Sequence, residues 1–84
     1  MSIEIYGKSL CPYCDMAKTL CKSMHLTYTY YELGTDFNRD EVLELFPGAK
    51  TFPQIKVNNK PIGGYTELAT HLEETNYNGT GMTL

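Results

Sequence analysis

Cysteine is scarce in this chain and its number is odd: three in 84 residues. A small secreted domain held together by disulfides shows a larger, even set. The thiols are therefore expected to do chemistry in a reducing compartment. Long apolar runs are missing as well. None approaches the roughly 20 residues that cross a bilayer, and Met1-Ser2-Ile3-Glu4 has neither the basic nor the apolar part of a signal peptide. The expected location is cytoplasmic, with no membrane partner. Excess positive charge is absent too. Seven Lys and Arg are scattered among ten Asp and Glu, for a net charge of −3, which leaves no footprint for nucleic acid. The seven tyrosines and three phenylalanines lack the basic groove that base stacking would need. No internal repeat or linker divides the chain. Its length suits one domain with a small core, burying about 60–65% of the unfolded surface. That domain is expected over residues 1–75, with a polar, glycine-containing flexible tail over 76–84.

What is present is concentrated in Cys11-Pro12-Tyr13-Cys14. Two thiols separated by two residues can close a small disulfide ring or share one thiolate charge, the basis of dithiol redox chemistry. Ser2 to Tyr6 alternates like a strand, Gly7 to Leu10 reads as a loop, and a helix starts at the pair, where Pro12 suits a first-turn position. Ala17, Leu20, Cys21 and Met24 then recur on one helical face, and His25 closes the segment. A Cys-x-x-Cys where a strand hands over to a helix reads as a thioredoxin-like redox motif.

The remainder continues an α/β pattern. Leu26 to Tyr31 is rich in strand formers. Asn38 caps a helix with Val42, Leu43, Leu45 and Phe46 on its apolar side, stopped by Pro47-Gly48. Pro53 to Val57 is a strand, Asn58-Asn59 a two-residue turn, and Lys60 to Ile62 a short edge strand that tolerates Pro61. Gly63-Gly64 ends it, and Thr66 can cap a last helix through Leu68, Ala69 and Leu72. The order β-α-β-α-β-β-α predicts a mixed four-stranded sheet flanked by three helices on both faces, an α/β thioredoxin-like fold.

Cys11, at a helix N-terminus and three residues after Lys8, is the expected nucleophile, because both surroundings favour a thiolate. Cys14, one turn in and more shielded, is the expected resolving thiol. A structural or zinc-binding pair is the competing reading. Cys11, Cys14, Cys21 and His25 have a superficially metal-like spacing, but seven helical residues from Cys14 to Cys21 rise roughly 10 Å, too far for ligands about 2.0–2.3 Å from one ion. Cys21 reads as a small buried hydrophobe, and no metal is expected.

Lys8, Cys11-Pro12-Tyr13-Cys14, Thr51-Phe52-Pro53-Gln54-Ile55 and Ile62-Gly63-Gly64-Tyr65-Thr66-Glu67-Leu68, in this order and spacing, closely resemble a glutaredoxin from Ile3 to about Glu73. The compact length is similar to the small glutaredoxins of bacteria and their viruses. The resemblance implies a glutathione-dependent disulfide oxidoreductase acting on protein disulfides and glutathione mixed disulfides. It implies a cis Phe52-Pro53 bond facing the dithiol and a glutathione site built from Lys8, Tyr13, Thr51, Phe52, Pro53, Gly64, Tyr65 and Thr66. Many members carry an aspartate where this chain has Thr66, and Glu67 is the next carboxylate in line. Arg39 and Lys50 are further candidate carboxylate partners. Ribonucleotide reductase is an implied protein partner and a monomer the implied state. Two other readings stay open: reduction by thioredoxin reductase in place of glutathione, and a [2Fe–2S] cluster held across a dimer, which Pro12 disfavours.

Overall fold

A computed structural model describes residues 2–74; the tail expected over 76–84 lies outside the described residues. The chain runs β1 (Ile3–Gly7), α1 (Pro12–Ser23), β2 (Thr29–Glu32), α2 (Arg39–Leu45), β3 (Gln54–Val57), β4 (Lys60–Gly63) and α3 (Tyr65–Glu74). The strands form one sheet in the order β2-β1-β3-β4. β1 and β2 are parallel, joined across α1, while β1–β3 and β3–β4 are antiparallel. This is the mixed four-stranded α/β sheet that the element order predicts.

Strand alternation sorts the core into two layers. Ile3 and Ile5 of β1 pack with Ile55, Val57, Ala17, Cys21, Leu68 and Leu72, which places α1 and α3 on one face. Tyr6 turns the other way and packs with Phe37, Val42 and Phe46, which places α2 on the opposite face. Phe37 and Phe46 both meet the Tyr6 ring edge-on, a favourable aromatic geometry. Cys21 is fully buried within the first layer, as the helical stripe predicts.

Local chemistry sets the element ends. Asn38 and Glu41 form a reciprocal capping box at α2, each side chain accepting the other's backbone N–H at 2.8 Å, an arrangement that satisfies two otherwise orphan donors. Asn58 and Asn59 both take positive φ in the β3–β4 turn, as a two-residue hairpin loop requires. Pro61 sits in β4 at the sheet edge, where its missing N–H costs nothing. β2 starts at Thr29 and not at Leu26. The chain spends Leu26 closing α1: its N–H donates to Cys21 O at 2.9 Å and that of His25 donates to Lys22 O at 3.1 Å. This is a Schellman closure with His25, at φ 58, in the left-handed position usually held by glycine.

That conformation generates a prediction. His25→Gly should raise unfolding stability by about 1 kcal/mol, read as a shifted urea midpoint at unchanged slope.

Candidate active site

Cys11 is the residue on which α1 begins. It has extended backbone (φ −124, ψ 102), occupies the cap position ahead of Pro12, and its Sγ accepts the N–H of Cys14 at 3.2 Å. Orphan amides at a helix start favour negative charge, so the capping atom is the one that would carry a thiolate. Cys11 and Cys14 are joined as a disulfide with their Cα atoms 5.2 Å apart. Their exposure differs: Cys14 is 0% accessible and Cys11 7%, so an incoming group meets Cys11 first.

Gly7 makes room for this pair. A Cβ built on it would lie 2.5 Å from the Tyr30 hydroxyl and 2.9 Å from Cys14 Sγ, so only glycine lets β1 end beneath the disulfide. Tyr30 directs its hydroxyl at Lys8 O, 3.5 Å away, and carries the Lys18 ammonium 4.1 Å above its ring. Burial, then Glu32 and Asp15, push the Tyr30 phenol's pKa up. Sequence reasoning placed Tyr30 in a strand but missed its position under the dithiol. No periodicity signals a contact across two elements.

The second wall is the loop before β3. The Phe52–Pro53 bond is cis, as the resemblance implies, and Cys11 Sγ stands 3.8 Å from Phe52 O. Gln54, buried at the start of β3, donates from Nε2 to Thr51 O at 2.7 Å and ties the loop to the sheet. This positioning role was also not legible beforehand, since a glutamine opening a strand looks like any exposed polar residue. The Lys8 ammonium lies over the Phe52 ring, 5.9 Å from the centroid.

The third wall is the start of α3. The helix begins at Tyr65, two residues earlier than a Thr66 cap would allow, and Leu68 N–H donates to Gly64 O at 3.0 Å. Gly64 is thus the cap residue, a correction to the Thr66 reading. Glu67, the third helical residue, supplies the side-chain half by accepting Gly64 N–H at 2.8 Å, half of a capping box. Gly63 is required by its φ of +119, and a Cβ on Gly64 would crowd Pro53 O at 3.2 Å.

Tyr13, Thr51, Phe52, Pro53, Gly64, Tyr65 and Thr66 line one groove of about 240 Å³, joined by Glu67. Seven of the eight expected binding residues therefore come together, and Lys8 stands outside that lining. Lys50 lines an adjoining groove of about 410 Å³ that shares Thr51, Gly64 and Glu67. Arg39 opens α2, exposed. Among the described residues no group of three or more His, Cys, Asp or Glu is placed to hold a metal ion, and no helix is long and apolar enough to cross a membrane.

A reactive dithiol capping a helix beside a cis-proline loop, on this sheet, defines a thiol–disulfide oxidoreductase of the thioredoxin-like fold. Residues 3–62 match the glutaredoxin family model. Glutaredoxin 1 of Escherichia coli is 35% identical over 81 residues, covering 88% of this chain and 95% of that protein. Glutaredoxin 3 of the same organism is 39% identical over 70 residues, covering 80% of this chain and 81% of that protein. The solution structure of oxidised E. coli glutaredoxin superposes with a TM-score of 0.75 at 34% identity, covering 88% of this chain and 95% of that one. The chain belongs to the glutaredoxin family, and Cys11 and Cys14 are its redox dithiol.

The unequal burial of the thiols is testable. In the reduced folded protein, iodoacetamide should modify Cys11 first, and Cys21 only after denaturation, as read by peptide mass mapping. Burial also raises the Cys21 pKa above 9.0. An acid whose pKa is higher folded than unfolded contributes stability that is complete below the unfolded value and is lost as pH rises toward the folded one. In the oxidised protein, where Cys11 and Cys14 do not titrate, stability should therefore decline above about pH 9. Cys21→Ala should remove that first decline, seen as a flatter urea midpoint against pH.

Proposed function

We propose that glutathione is the reductant of this oxidoreductase and that glutathione mixed disulfides and protein disulfides are its substrates, in a reducing cytoplasm. The observation carrying this reading is the groove beside the dithiol, whose lining includes seven of the eight residues that the family resemblance nominates for glutathione. The ligand is a short peptide with two carboxylates and one ammonium, and each wall offers a complement. The Phe52 main chain, next to Cys11 Sγ, pairs with the ligand's cysteine as in strand addition. Tyr13 covers the site. Lys8, outside the groove lining, takes the glycine carboxylate. The Tyr65 and Thr66 amides, at the start of α3, take the γ-glutamyl carboxylate. Gly64 contributes shape only, because its amide is already bonded to Glu67. The Glu67 carboxylate meets the ligand's ammonium, the role a hydroxyl at Thr66 fills only weakly.

The chemistry follows from the two sulfurs. With a glutathionylated substrate, Cys11 thiolate attacks the glutathionyl sulfur, the substrate leaves as its thiolate, and Cys11 carries glutathione. A second glutathione thiolate attacks that mixed disulfide, releasing glutathione disulfide and restoring Cys11. With a protein disulfide, Cys11 thiolate attacks one sulfur and the other leaves. Cys14 thiolate then attacks Cys11 Sγ, freeing the second substrate thiol and closing Cys11–Cys14. Two glutathiones reopen that bond, yielding glutathione disulfide. Ribonucleotide reductase, which needs such electrons, is the proposed protein partner.

The test is reduction of a glutathione–2-mercaptoethanol mixed disulfide coupled to glutathione reductase. Cys11→Ser should abolish turnover. Cys14→Ser should keep most of it while losing reduction of protein disulfides. No turnover by the wild type rejects glutathione as the reductant. Glu67→Gln keeps an acceptor for Gly64 but loses the charge. The difference between a charged and a neutral hydrogen bond, about 1 kcal/mol, should raise KM for glutathione about fivefold with kcat little changed.

A further inference from the structure

Leu10 is the most exposed large apolar side chain among the described residues, fully accessible at 100%. Its φ is +55, a conformation that leucine rarely adopts and glycine accepts freely. Neither property helps the fold: the side chain buries nothing, and glycine would suit the backbone better. The loop is nevertheless held in place. Ser9 Oγ donates to Glu32 Oε2 at 2.8 Å, Leu33 N–H donates to Gly7 O at 2.8 Å, and Cys11 is fixed as the helix cap. Leu10 is thus a pinned, outward apolar group one residue before the nucleophile.

It has company. The other large exposed apolar side chains among the described residues are Tyr13 at 57%, Met16 at 43% and Leu43 at 41%. Three of these four fall between positions 10 and 16, around the disulfide. Tyr13, Met16 and Leu20 follow helical spacing toward α3, where Met16, Leu20 and Tyr65 line a second groove of about 380 Å³. The Tyr13 and Tyr65 rings, 6.0 Å apart, separate it from the groove beside Pro53. A single exposed leucine is ordinary; apolar groups gathered at a reactive sulfur mark an interaction surface. Asp15, which lines the second groove with Met16, is paired with Lys18 at 3.5 Å.

We infer that Leu10, with Tyr13 and Met16, forms an apolar collar that docks the polypeptide flanking a substrate's disulfide-bonded cysteine, preferring apolar side chains beside that cysteine. The reaction sets this occupant. The glutathionyl sulfur must reach Cys11 Sγ, which holds the polypeptide's own cysteine sulfur one S–S bond, about 2 Å, further out, and an extended chain advances about 3.3 Å per residue. Its next one or two side chains therefore fall on neighbours of Cys11, whose adjoining Cα is about 3.8 Å away. Leu10 would act by orienting the departing polypeptide, not by touching glutathione.

This rests on the glutathione reading above, and the experiment separates the two. Two glutathionylated peptides of equal length and charge are compared, one with leucine and phenylalanine beside the cysteine and one with serine and glycine. The glutathione–2-mercaptoethanol mixed disulfide serves as the small reference. Wild type should favour the apolar peptide about fivefold in kcat/KM, as partial burial of a leucine-sized group allows. Leu10→Asn, which tolerates positive φ, should bring that ratio close to one, leave the small disulfide unchanged, and melt no lower than wild type. Leu10→Met should restore the preference. Equal use of both peptides by wild type, or a preference that survives Leu10→Asn, overturns the collar. Failure of wild type to turn over even the small disulfide overturns the glutathione reading, and the collar with it.

Discussion

The hydrogen bond from the Cys14 amide to Cys11 Sγ organises this molecule. In most helices the cap is an oxygen whose only task is to satisfy an orphan amide. Here the cap is the reacting sulfur. The same geometry that starts α1 therefore sets where the nucleophile points, which charge it tolerates and how far its partner thiol sits behind it. β1 must stop beneath the pair, so its last residue is Gly7. The loop preceding β3 must come alongside, so Gln54 is buried to hold it. The third helix must start against the same loop, so Gly64, close to Pro53 O, stands at its start.

The sheet and the site were legible to different depths. Period-two apolar residues in β1 and β3, helical spacing from Ala17 to Met24, the Asn58-Asn59 turn and the Asn38 cap each report on neighbours within a few residues, and each is where the chain pattern puts it. The dithiol needed only spacing. Misplaced ends have local causes as well: Leu26 and His25 close α1 and delay β2, and Gly64 with Glu67 start α3 ahead of Thr66. A carboxylate three residues after a glycine is a quieter capping signal than a threonine. What the chain pattern could not convey was contact between distant segments. Tyr30 beneath Cys14, Gln54 on Thr51 O and Lys8 over Phe52 each join residues whose neighbours along the chain reveal nothing of the pairing.

Glu67 shows how a small domain gives one side chain two duties. Its carboxylate closes the amide of Gly64 and also faces the groove beside Pro53. Helix start and groove wall are thus a single unit, and the main chain from Gly63 to Thr66 is fixed before any ligand arrives. The amides of Tyr65 and Thr66 inherit that order. A preformed set of donors is the form in which backbone binds anions with little ordering cost.

The complete burial of Cys14 behind a slightly open Cys11 gives the disulfide a direction. A bond between two identical atoms would ordinarily be cleaved from either end. Here only one end faces the outside, so an incoming thiol becomes attached to Cys11 and the released electron pair falls to Cys14. The covalent history of each cycle is written on one sulfur, while the other serves as an internal reservoir that no external molecule handles. A symmetric bond thereby works with the polarity of a cell that has two unlike terminals.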